Sequence, residues 1–327
     1  MFNKKEKKIE VYGHRGARAL VPENVIQGYK TSLKIGVDWV DMDIGVTNDR
    51  VVVVTHDIFL NPDIVRTHDG KFFAKSLEDF KKSVPPEKFD EFIKPYLIKN
   101  LTLKELQKYD VGKINPESPY SKYFPDQIAI NGAYIPTLRE VIQFVNETTK
   151  NQVSFQIEIK TDPSHPDWTF NPEEFAVELY KVLKEEDDIY RFEVQSFDWR
   201  CLYELQKINS KIKTSYLTSN ISKLWTGGKL LEDYNNSIPQ MIKSLGGFCW
   251  GPEDIELTKL SLDEAHKLGL KVVVWTWPEH IGTSFPTDIY IRLIDWGVDG
   301  IITDDPGRLN SLLEARGYIL PKSFDVS

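Results

Sequence analysis

The sequence lacks the marks of a disulfide-stabilised protein and of a membrane protein. Cys201 and Cys249 are the only cysteines and neither lies in a C-x-x-C unit, so we expect two buried free thiols. No apolar run approaches the roughly 20 residues of a membrane-spanning helix, so no stable membrane insertion is expected. The lysine-rich start, Met1–Glu10, lacks the apolar core of a signal peptide. We therefore expect a cytoplasmic protein if Met1 is the true start, and a periplasmic or secreted one if a leader was removed.

An excess of basic residues is also missing. The formal net charge is −8, which argues against a nucleic-acid partner because such proteins usually present a basic face. A small anionic substrate remains compatible, since a site can be locally positive within an acidic protein. The 327 residues, 41% hydrophobic and 28% charged, fit one large α/β domain or a domain that carries an insertion. Nothing in the sequence indicates an oligomeric state.

Segments typical of strands and helices alternate along the chain. Val25, Tyr29 and Leu33, for example, share one side of a predicted helix over Asn24–Ile35. Repeated β-then-α units predict a parallel sheet covered by helices, and eight such units at this length predict a (β/α)₈ TIM barrel. An open doubly wound sheet is the alternative. The predicted strands are Ile9–Gly13, Val37–Ile44, Val51–Val54, Val153–Ile159, Phe192–Gln195, Ile212–Leu217, Gly247–Trp250, Val272–Trp275 and Val298–Thr303.

Polar residues at or just beyond the ends of these strands favour the barrel. In a barrel the strand ends converge on one mouth, whereas in an open sheet they would spread along an edge. The residues concerned are His14, Asp43, His56, Glu158, Lys160, Ser196, Thr276 and Asp304. Asp304 and Asp305 are interpreted as rim and helix-cap residues rather than as ligands.

The segment 58–135 interrupts the alternation. It contains no convincing strand and many prolines, and a structureless loop of that length is improbable in a compact domain. We therefore predict a small inserted subdomain over 58–135 beside the barrel mouth, after the second strand, with the catalytic barrel formed by 1–57 and 136–327. The capping-box patterns Thr102-x-x-Glu105 and Thr137-x-x-Glu140 predict a helix inside the insertion and the return to the barrel, respectively.

Carboxylates are placed two residues apart on predicted strands. Asp41 and Asp43 therefore point to the same face, as do Glu158 and Lys160 on the next barrel strand. Like charges held together repel unless a cation or a proton lies between them, and oxygen ligands suit Mg²⁺ or Ca²⁺. We predict that Asp41, Asp43 and Glu158 bind one divalent ion, while Lys160 faces a phosphate oxygen. The alternatives are two solvated acids on an exposed strand, and an ion pair between Glu158 and Lys160 on a rim.

Two histidines, His14 and His56, each follow an apolar strand. Histidine can accept and donate protons near neutral pH, and phosphodiester cleavage needs a proton removed from the nucleophile and another given to the leaving alkoxide. Arg15 can bind a phosphate through two parallel hydrogen bonds. Trp275, at the end of the predicted strand Val272–Trp275, can provide an apolar wall, although core packing is at least as compatible with a tryptophan there. No role is assigned to the remaining histidines, which are His68, His165, His266 and His280.

A series of motifs resembles, in order and spacing, the signature of the glycerophosphodiester phosphodiesterase family. The series covers nearly the whole chain, which makes it more specific than any one motif. The motifs are His14-Arg15-Gly16-Ala17, Pro22-Glu23-Asn24, Val40-Asp41-Met42-Asp43, Val53-Val54-Thr55-His56-Asp57, Ile135-Pro136-Thr137-Leu138, Ile157-Glu158-Ile159-Lys160, Gln195-Ser196-Phe197-Asp198, Trp275-Thr276 and Gly297-Val298-Asp299-Gly300-Ile301-Ile302-Thr303-Asp304.

The resemblance implies a (β/α)₈ barrel with a small insertion after the second strand. It also implies metal-dependent hydrolysis of a glycerophosphodiester, such as glycerophosphocholine or glycerophosphoethanolamine, to glycerol 3-phosphate and an alcohol. A glycerol hydroxyl would attack first, and water would then open the cyclic phosphate. The implied acid–base pair, phosphate contacts and metal ligands are His14 and His56, Arg15 and Lys160, and Asp41, Asp43 and Glu158, respectively.

Three positions depart from the family pattern. Asp41 stands where glutamate is usual, so an ion must shift or a water must bridge to the shorter side chain. Val25 replaces a usual threonine, and Trp277-Pro278 replaces a usual Val-Asn, which changes the alcohol pocket. None of these changes removes a predicted catalytic group.

Two alternative functions are considered. The first is a phospholipase D-like enzyme or cyclising lyase that acts on lysophospholipid, which is less favoured because no basic amphipathic helix is evident. The second is a barrel that binds glycerophosphodiesters without turnover, if Asp41 holds the metal poorly.

Overall fold

Eight parallel strands close into a barrel in the computed structural model, which describes residues 7–326. Most of the lysine-rich start therefore lies outside the described residues. The first strand pairs with both the second and the last, which closes the ring, so the barrel is confirmed and the open sheet is wrong. The strands of the described chain are β1 Glu10–Gly13, β2 Trp39–Val46, β3 Val52–Val54, β4 Ser154–Ile159, β5 Phe192–Ser196, β6 Lys213–Thr218, β7 Cys249–Pro252, β8 Lys271–Val274 and β9 Gly300–Thr303.

Strand β3 is the exception to the parallel arrangement. It forms an antiparallel hairpin with β2, in which Val53 pairs with Gly45. The backbone N–H of Thr55 then donates to the carbonyl oxygen of Asp43 at 2.9 Å. This bond extends the hairpin back to Asp43, and His56 is the next residue of the chain.

Helices cover the outside of the barrel, and their starts follow the sequence signals. Asn171 and Asp305 cap their helices, and both predicted capping boxes form, at Thr102 and at Thr137. The helices are α1 Ile26–Ile35, α2 Leu77–Lys82, α3 Phe89–Ile93, α4 Leu103–Leu106, α5 Leu138–Thr149, α6 Pro172–Leu183, α7 Trp199–Ile208, α8 Ile238–Ser244, α9 Lys259–Lys267, α10 Pro278–Ile281, α11 Thr287–Trp296 and α12 Pro306–Glu314.

The core lies between the barrel and these helices. Along β2, Val40, Met42 and Ile44 face outward into this layer, while Asp41 and Asp43 face the lumen. Both predicted free thiols are confirmed as unpaired and buried. None of the helices in the described chain is long and apolar enough to cross a membrane.

Every residue of 58–135 is described, and none belongs to a strand of the sheet. The segment holds α2–α4 and several single 3₁₀ turns, the last of them over Pro119–Tyr123. Its apolar side chains form two clusters, of which the one around Leu60, Ile98 and Leu106 also includes Val53 of β3. Because that cluster is shared with the barrel, the boundary of an independent subdomain stays a prediction.

Candidate active site

A cavity of about 330 Å³ lies at the carboxyl ends of the barrel strands. Side chains from 58–135, among them Asn61, Asp63 and Tyr120, line it together with residues of the barrel. Asp43 is buried, at 1% exposed, and does not line the cavity. All other predicted site residues line the cavity, namely His14, Arg15, Asp41, His56, Glu158, Lys160 and Trp275.

The three predicted metal ligands are positioned by strand register. Asp41 and Asp43 lie two residues apart on β2, and Asp43 is directly opposite Glu158 on β4. Lys160, just after β4, places its Nζ atom 3.0 Å from Asp43 Oδ1 and 2.5 Å from Glu158 Oε1. The spacing in the sequence therefore does bring these four side chains together.

The charges in this group shift the pKa values of the carboxyls in opposite directions. Burial alone would raise the pKa of Asp43, but the Lys160 ammonium and the Arg15 guanidinium outweigh burial and lower it well below its ordinary value. Burial raises the pKa of Asp41 strongly, and the neighbouring charges of Asp43 and Glu158 raise it further. Burial also raises the pKa of Glu158, although Lys160 opposes the shift. The pKa values of the three carboxyls therefore differ, with that of Asp43 lowered and those of Asp41 and Glu158 raised.

Among residues 7–326, no group of three or more histidine, cysteine, aspartate or glutamate side chains is gathered as a ready metal site. Lys160 instead lies between Asp43 and Glu158. The donor chemistry nevertheless fits a hard divalent ion, because an additional positive charge would offset the repulsion that raises the pKa of Asp41. Gln195 adds a further oxygen donor, since its Nε2 donates to Asp41 Oδ1 at 2.8 Å while its buried Oε1 has no hydrogen-bond partner in the described chain.

His14, directly after β1, is held by a carboxylate from the other end of the chain. Its Nδ1 lies 2.6 Å from Asp304 Oδ1 and 3.2 Å from Arg18 Nη2. Arg18 Nη2 already donates to Asp304 Oδ2 at 3.1 Å, so we assign the Nδ1 proton to the shorter contact with Asp304. Burial, with the Arg18 cation, lowers the pKa of His14 to about 4. His14 is therefore neutral at neutral pH, with its lone pair on Nε2.

His56, the second histidine, is held less tightly. Its side chain is 31% exposed, compared with 15% for His14, and its Nδ1 lies 3.4 Å from Asp57 Oδ1. Burial opposes ionisation of Asp57, but the charge of His56 and its hydrogen bond outweigh it and lower the pKa of Asp57. The two imidazoles thus line one cavity in different surroundings.

Arg15 lies on a tight loop between β1 and α1. It has a positive φ of 50°, and its N–H donates to Asp41 Oδ2 at 3.3 Å. Its Nη1 donates to Glu23 Oε1 at 2.7 Å, and its Nε lies 3.2 Å from Asp43 Oδ2. The neighbouring Gly16, at φ 92°, has no room for a side chain, because a Cβ there would lie 2.7 Å from the backbone of Gly28. Gly16 therefore lets the loop pack against α1.

Aromatic side chains form part of the wall of the cavity. The ring of Trp275 meets Phe197 edge to face at 5.4 Å and lies 6.1 Å from Trp277. Trp277 is 41% exposed and stacks on His280, whose Nδ1 lies 2.9 Å from buried Glu253. Trp275 therefore belongs to the cavity wall while its Nε1 donates to the carbonyl oxygen of Gly251.

Several residues of the site were missed by the sequence interpretation. Asp304 is not a rim residue; it is 3% exposed and holds His14. Its position at the end of β9 was a usable signal, because that end faces the same mouth as His14. Glu23 and Gln195 lie in motifs quoted above, and Gln195 ends a predicted strand, but neither was assigned a role. Arg18 and Tyr120 carried no comparable signal. Arg18 and Glu23 lie on an irregular loop, and Tyr120 lies in the segment without periodicity.

Comparisons with known proteins agree with this geometry. The model of the glycerophosphoryl diester phosphodiesterase family matches residues 14–308. A glycerophosphodiester phosphodiesterase of Caldanaerobacter subterraneus subsp. tengcongensis is 28% identical over 94% of this chain and 98% of its own length.

Solved structures share the fold. A Silicibacter pomeroyi protein described as a candidate glycerophosphoryl diester phosphodiesterase is 28% identical, with a TM-score of 0.79 over 96% of this chain and 95% of its own. An Oleispira antarctica phosphodiesterase, solved with the product sn-glycerol-3-phosphate, superposes with a TM-score of 0.65 over 93% of this chain and 96% of its own, at 19% identity.

The fold and the cavity define a barrel enzyme whose mouth combines imidazoles, cations and carboxylates. The chain belongs to the glycerophosphoryl diester phosphodiesterase family. Its activity is accordingly that of a glycerophosphodiester phosphodiesterase.

Proposed function

We propose that the protein hydrolyses glycerophosphodiesters with a cationic alcohol, such as glycerophosphocholine or glycerophosphoethanolamine, to glycerol 3-phosphate and the free alcohol. The reaction uses His14 and His56 as an acid–base pair and depends on one divalent ion, Mg²⁺ or Ca²⁺. The observation that carries the proposal is the joint presence of both imidazoles, Arg15 and Lys160 around one cavity above the buried carboxylates.

The basic residues support binding of the phosphodiester anion. Arg15 is held by Glu23 and Asp43, so its guanidinium needs little reordering before it donates to phosphate oxygens. Lys160 is buried between two carboxylates, and their charges raise its pKa although burial opposes the shift. It therefore stays protonated and contributes a fixed positive charge beside the substrate.

The histidines supply the proton transfers. Because Nδ1 of His14 is occupied by Asp304, Nε2 is the nitrogen that exchanges a proton with the substrate. In the first step a glycerol hydroxyl loses its proton to one imidazole and attacks phosphorus, while the leaving alkoxide takes a proton from the other. A cyclic phosphate forms and the alcohol departs. Water then adds to the cyclic ester, the proton transfers run in reverse, and glycerol 3-phosphate is released.

Asp41, Asp43 and Glu158 would hold the divalent ion, with Gln195 Oε1 adjacent. When bound, such an ion supplies Lewis-acid polarisation of the substrate oxygens. A bound ion would lower the pKa of Asp41, because its positive charge favours the carboxylate. The shorter side chain of Asp41, where the family usually has glutamate, accepts hydrogen bonds from the N–H of Arg15 and from Gln195 Nε2.

The cavity wall supports a cationic alcohol. The rings of Phe197, Trp275 and Trp277 provide faces for a quaternary or primary ammonium group, and the carboxyls of Asp57 and Asp63 also line the cavity. An uncharged alcohol would gain less from both the rings and the carboxyls. We therefore expect kcat/KM to be higher for the choline and ethanolamine diesters than for glycerophosphoglycerol.

Product analysis with purified enzyme tests the proposal. After removal of metal with EDTA, Mg²⁺ or Ca²⁺ is added back, and glycerol 3-phosphate is measured with a coupled dehydrogenase for each of the three diesters. We expect turnover only with metal and a preference for the cationic alcohols. Absence of glycerol 3-phosphate under both ions, with all three diesters, contradicts the proposal. A cyclic phosphate that accumulates as the final product would instead indicate a lyase.

Glu158→Gln tests the ion site at constant side-chain size. Loss of one negative ligand should raise the metal concentration needed for half-maximal activity by about tenfold or more. Glu204→Gln, on the outer face of α7, serves as the surface control. A metal titration of Glu158→Gln that superposes on the wild-type curve refutes the ligand assignment.

The roles of the two histidines can be separated with a glycerophosphodiester of p-nitrophenol, because the p-nitrophenolate leaves without needing a proton. The variant that lacks the proton donor should recover much of its activity with this substrate, whereas the variant that lacks the proton acceptor should not. Equal losses by His14→Ala and His56→Ala with both substrates would contradict separate acid and base roles.

A further inference from the structure

Tyr120, in the segment 58–135, contacts two residues of the loop between β1 and α1 that hold the side chains of the active site. It lies in the 3₁₀ turn Pro119–Tyr123, and its backbone N–H donates to Ser118 Oγ at 3.1 Å. Its hydroxyl donates to Glu23 Oε2 at 2.5 Å and accepts from Arg18 Nη1 at 3.0 Å. A single hydroxyl thus connects a carboxylate and a guanidinium of the loop between β1 and α1.

Each of these two partners leads to a different catalytic residue. Glu23 uses its other oxygen, Oε1, to accept from Arg15 Nη1 at 2.7 Å. Arg18 uses its Nε and Nη2 to donate to Asp304, at 2.9 and 3.1 Å, and Asp304 in turn binds His14. The phosphate-binding arginine and the first imidazole are therefore linked through Tyr120.

The surroundings hold the hydroxyl in place. The Tyr120 ring packs against Phe124 at 5.0 Å, and the Arg18 guanidinium lies 4.7 Å above the same Phe124 ring. Two further bonds fasten the segment to the loop, from Gln127 Nε2 to the carbonyl oxygen of Arg18 and from the N–H of Ile128 to the carbonyl oxygen of Leu20. Burial keeps the Tyr120 hydroxyl neutral by raising its pKa well above the ordinary value. It therefore remains a donor to Glu23 across the neutral range.

We propose that Tyr120 is a positioning residue of this active site, through which the segment 58–135 sets the orientation of both Arg15 and His14. The hydroxyl acts through Glu23 on the phosphate contact and through Arg18 and Asp304 on the imidazole. The inference rests on the proposed function for its kinetic consequences, but the positions of the two side chains can be measured without turnover.

Tyr120→Phe removes the hydroxyl and keeps the ring against Phe124. We expect kcat to fall about tenfold, the equivalent of one lost hydrogen bond in the network. We also expect weaker binding of the product glycerol 3-phosphate and a shift of the downfield proton resonance of His14 Nδ1–H, which is assigned by its loss in His14→Gln. The melting temperature should change little. Tyr123→Phe, in the same turn but outside this network, is the matched control and should behave as wild type.

Two outcomes overturn the proposal. One is a Tyr120→Phe variant whose His14 resonance and product affinity keep their wild-type values, whatever its rate. The other concerns the double variant that combines Tyr120→Phe with Glu23→Gln. Residues that act through one another are not independent, so its fold-loss in affinity for glycerol 3-phosphate should differ from the two single fold-losses multiplied together. Equality of these two values overturns the proposal. If wild-type enzyme turns over no glycerophosphodiester, the proposed function fails, while the resonance and the product affinity still decide the role of Tyr120.

Discussion

The two ends of the barrel lumen use the same kinds of residue in opposite ways. At the mouth, Arg15, Arg18 and Lys160 are arranged with carboxylates around an open cavity. At the base, Lys271 Nζ contacts Glu10 at 2.6 Å and Glu193 at 3.6 Å, and it also donates to the hydroxyl of Tyr12.

Aromatic rings account for the difference between the ends. At the base, Tyr12 and Trp39 stack in parallel at 5.3 Å across the lumen, and Lys271 lies over the Trp39 ring at 4.5 Å. Gly300 makes room for them, because a Cβ there would lie 2.6 Å from the Tyr12 ring. At the mouth, Trp275 and Trp277 form one wall and leave the centre free. Ionic groups at the base therefore contribute to packing, whereas those at the mouth remain available to a substrate.

The largest expected effect is the loss of activity on substitution of the histidines at the mouth. His14→Ala and His56→Ala should each lower kcat by about a thousandfold, within the range that general acid–base catalysis contributes, because each removes a proton-transfer group. Neither variant should unfold the protein, which circular dichroism and thermal melting check. Wild-type rates in either variant would show that the acid–base assignment is wrong.

At the base, by contrast, we expect a substitution to lower stability and to leave activity almost unchanged. Lys271→Met leaves Glu193, which is fully buried, without its cation, so the free energy of unfolding should fall by about 3 to 5 kcal/mol. The value of kcat/KM below the melting transition should stay within about twofold of wild type. Denaturant titration and kinetics measure both quantities. The double variant with Glu193→Gln should recover part of the stability, and a large loss of kcat/KM in Lys271→Met would contradict the division between the two ends.

A smaller effect concerns acid stability at the mouth. The pKa of folded His14 is about 4, below the ordinary value of about 6.5, so the unfolded chain binds this proton first as pH falls. His14 should therefore cost up to about 3 kcal/mol of stability between pH 6.5 and pH 4. Denaturant unfolding of wild type and His14→Gln over this range provides the measurement. Parallel pH dependences for the two proteins would contradict a neutral, buried His14.

The regular parts of the molecule could be predicted from the sequence. The predicted strands begin and end within two residues of those observed, because apolar runs and strand ends mark them. The two-residue spacing of Asp41 and Asp43, and of Glu158 and Lys160, placed these groups on the lumen face correctly, since side chains alternate along any strand.

The contacts that complete the site could not be predicted in this way. Asp304 reaches His14 across 290 positions of sequence, and Tyr120 reaches Glu23 from a segment of short turns. Irregular backbone has no period that tells where a side chain points. The spacing also left open whether Lys160 would face a substrate or pair with Glu158, because the lysine stem is flexible and its direction depends on the surrounding charges.

The pairing of the first strand with the last has a consequence for biosynthesis. His14 is synthesised 290 residues before Asp304, the carboxylate that fixes its tautomer. A nascent chain arrested before β9 can thus carry both imidazoles and the carboxylates while the ring remains open. We expect turnover to appear abruptly, only when translation has passed this strand.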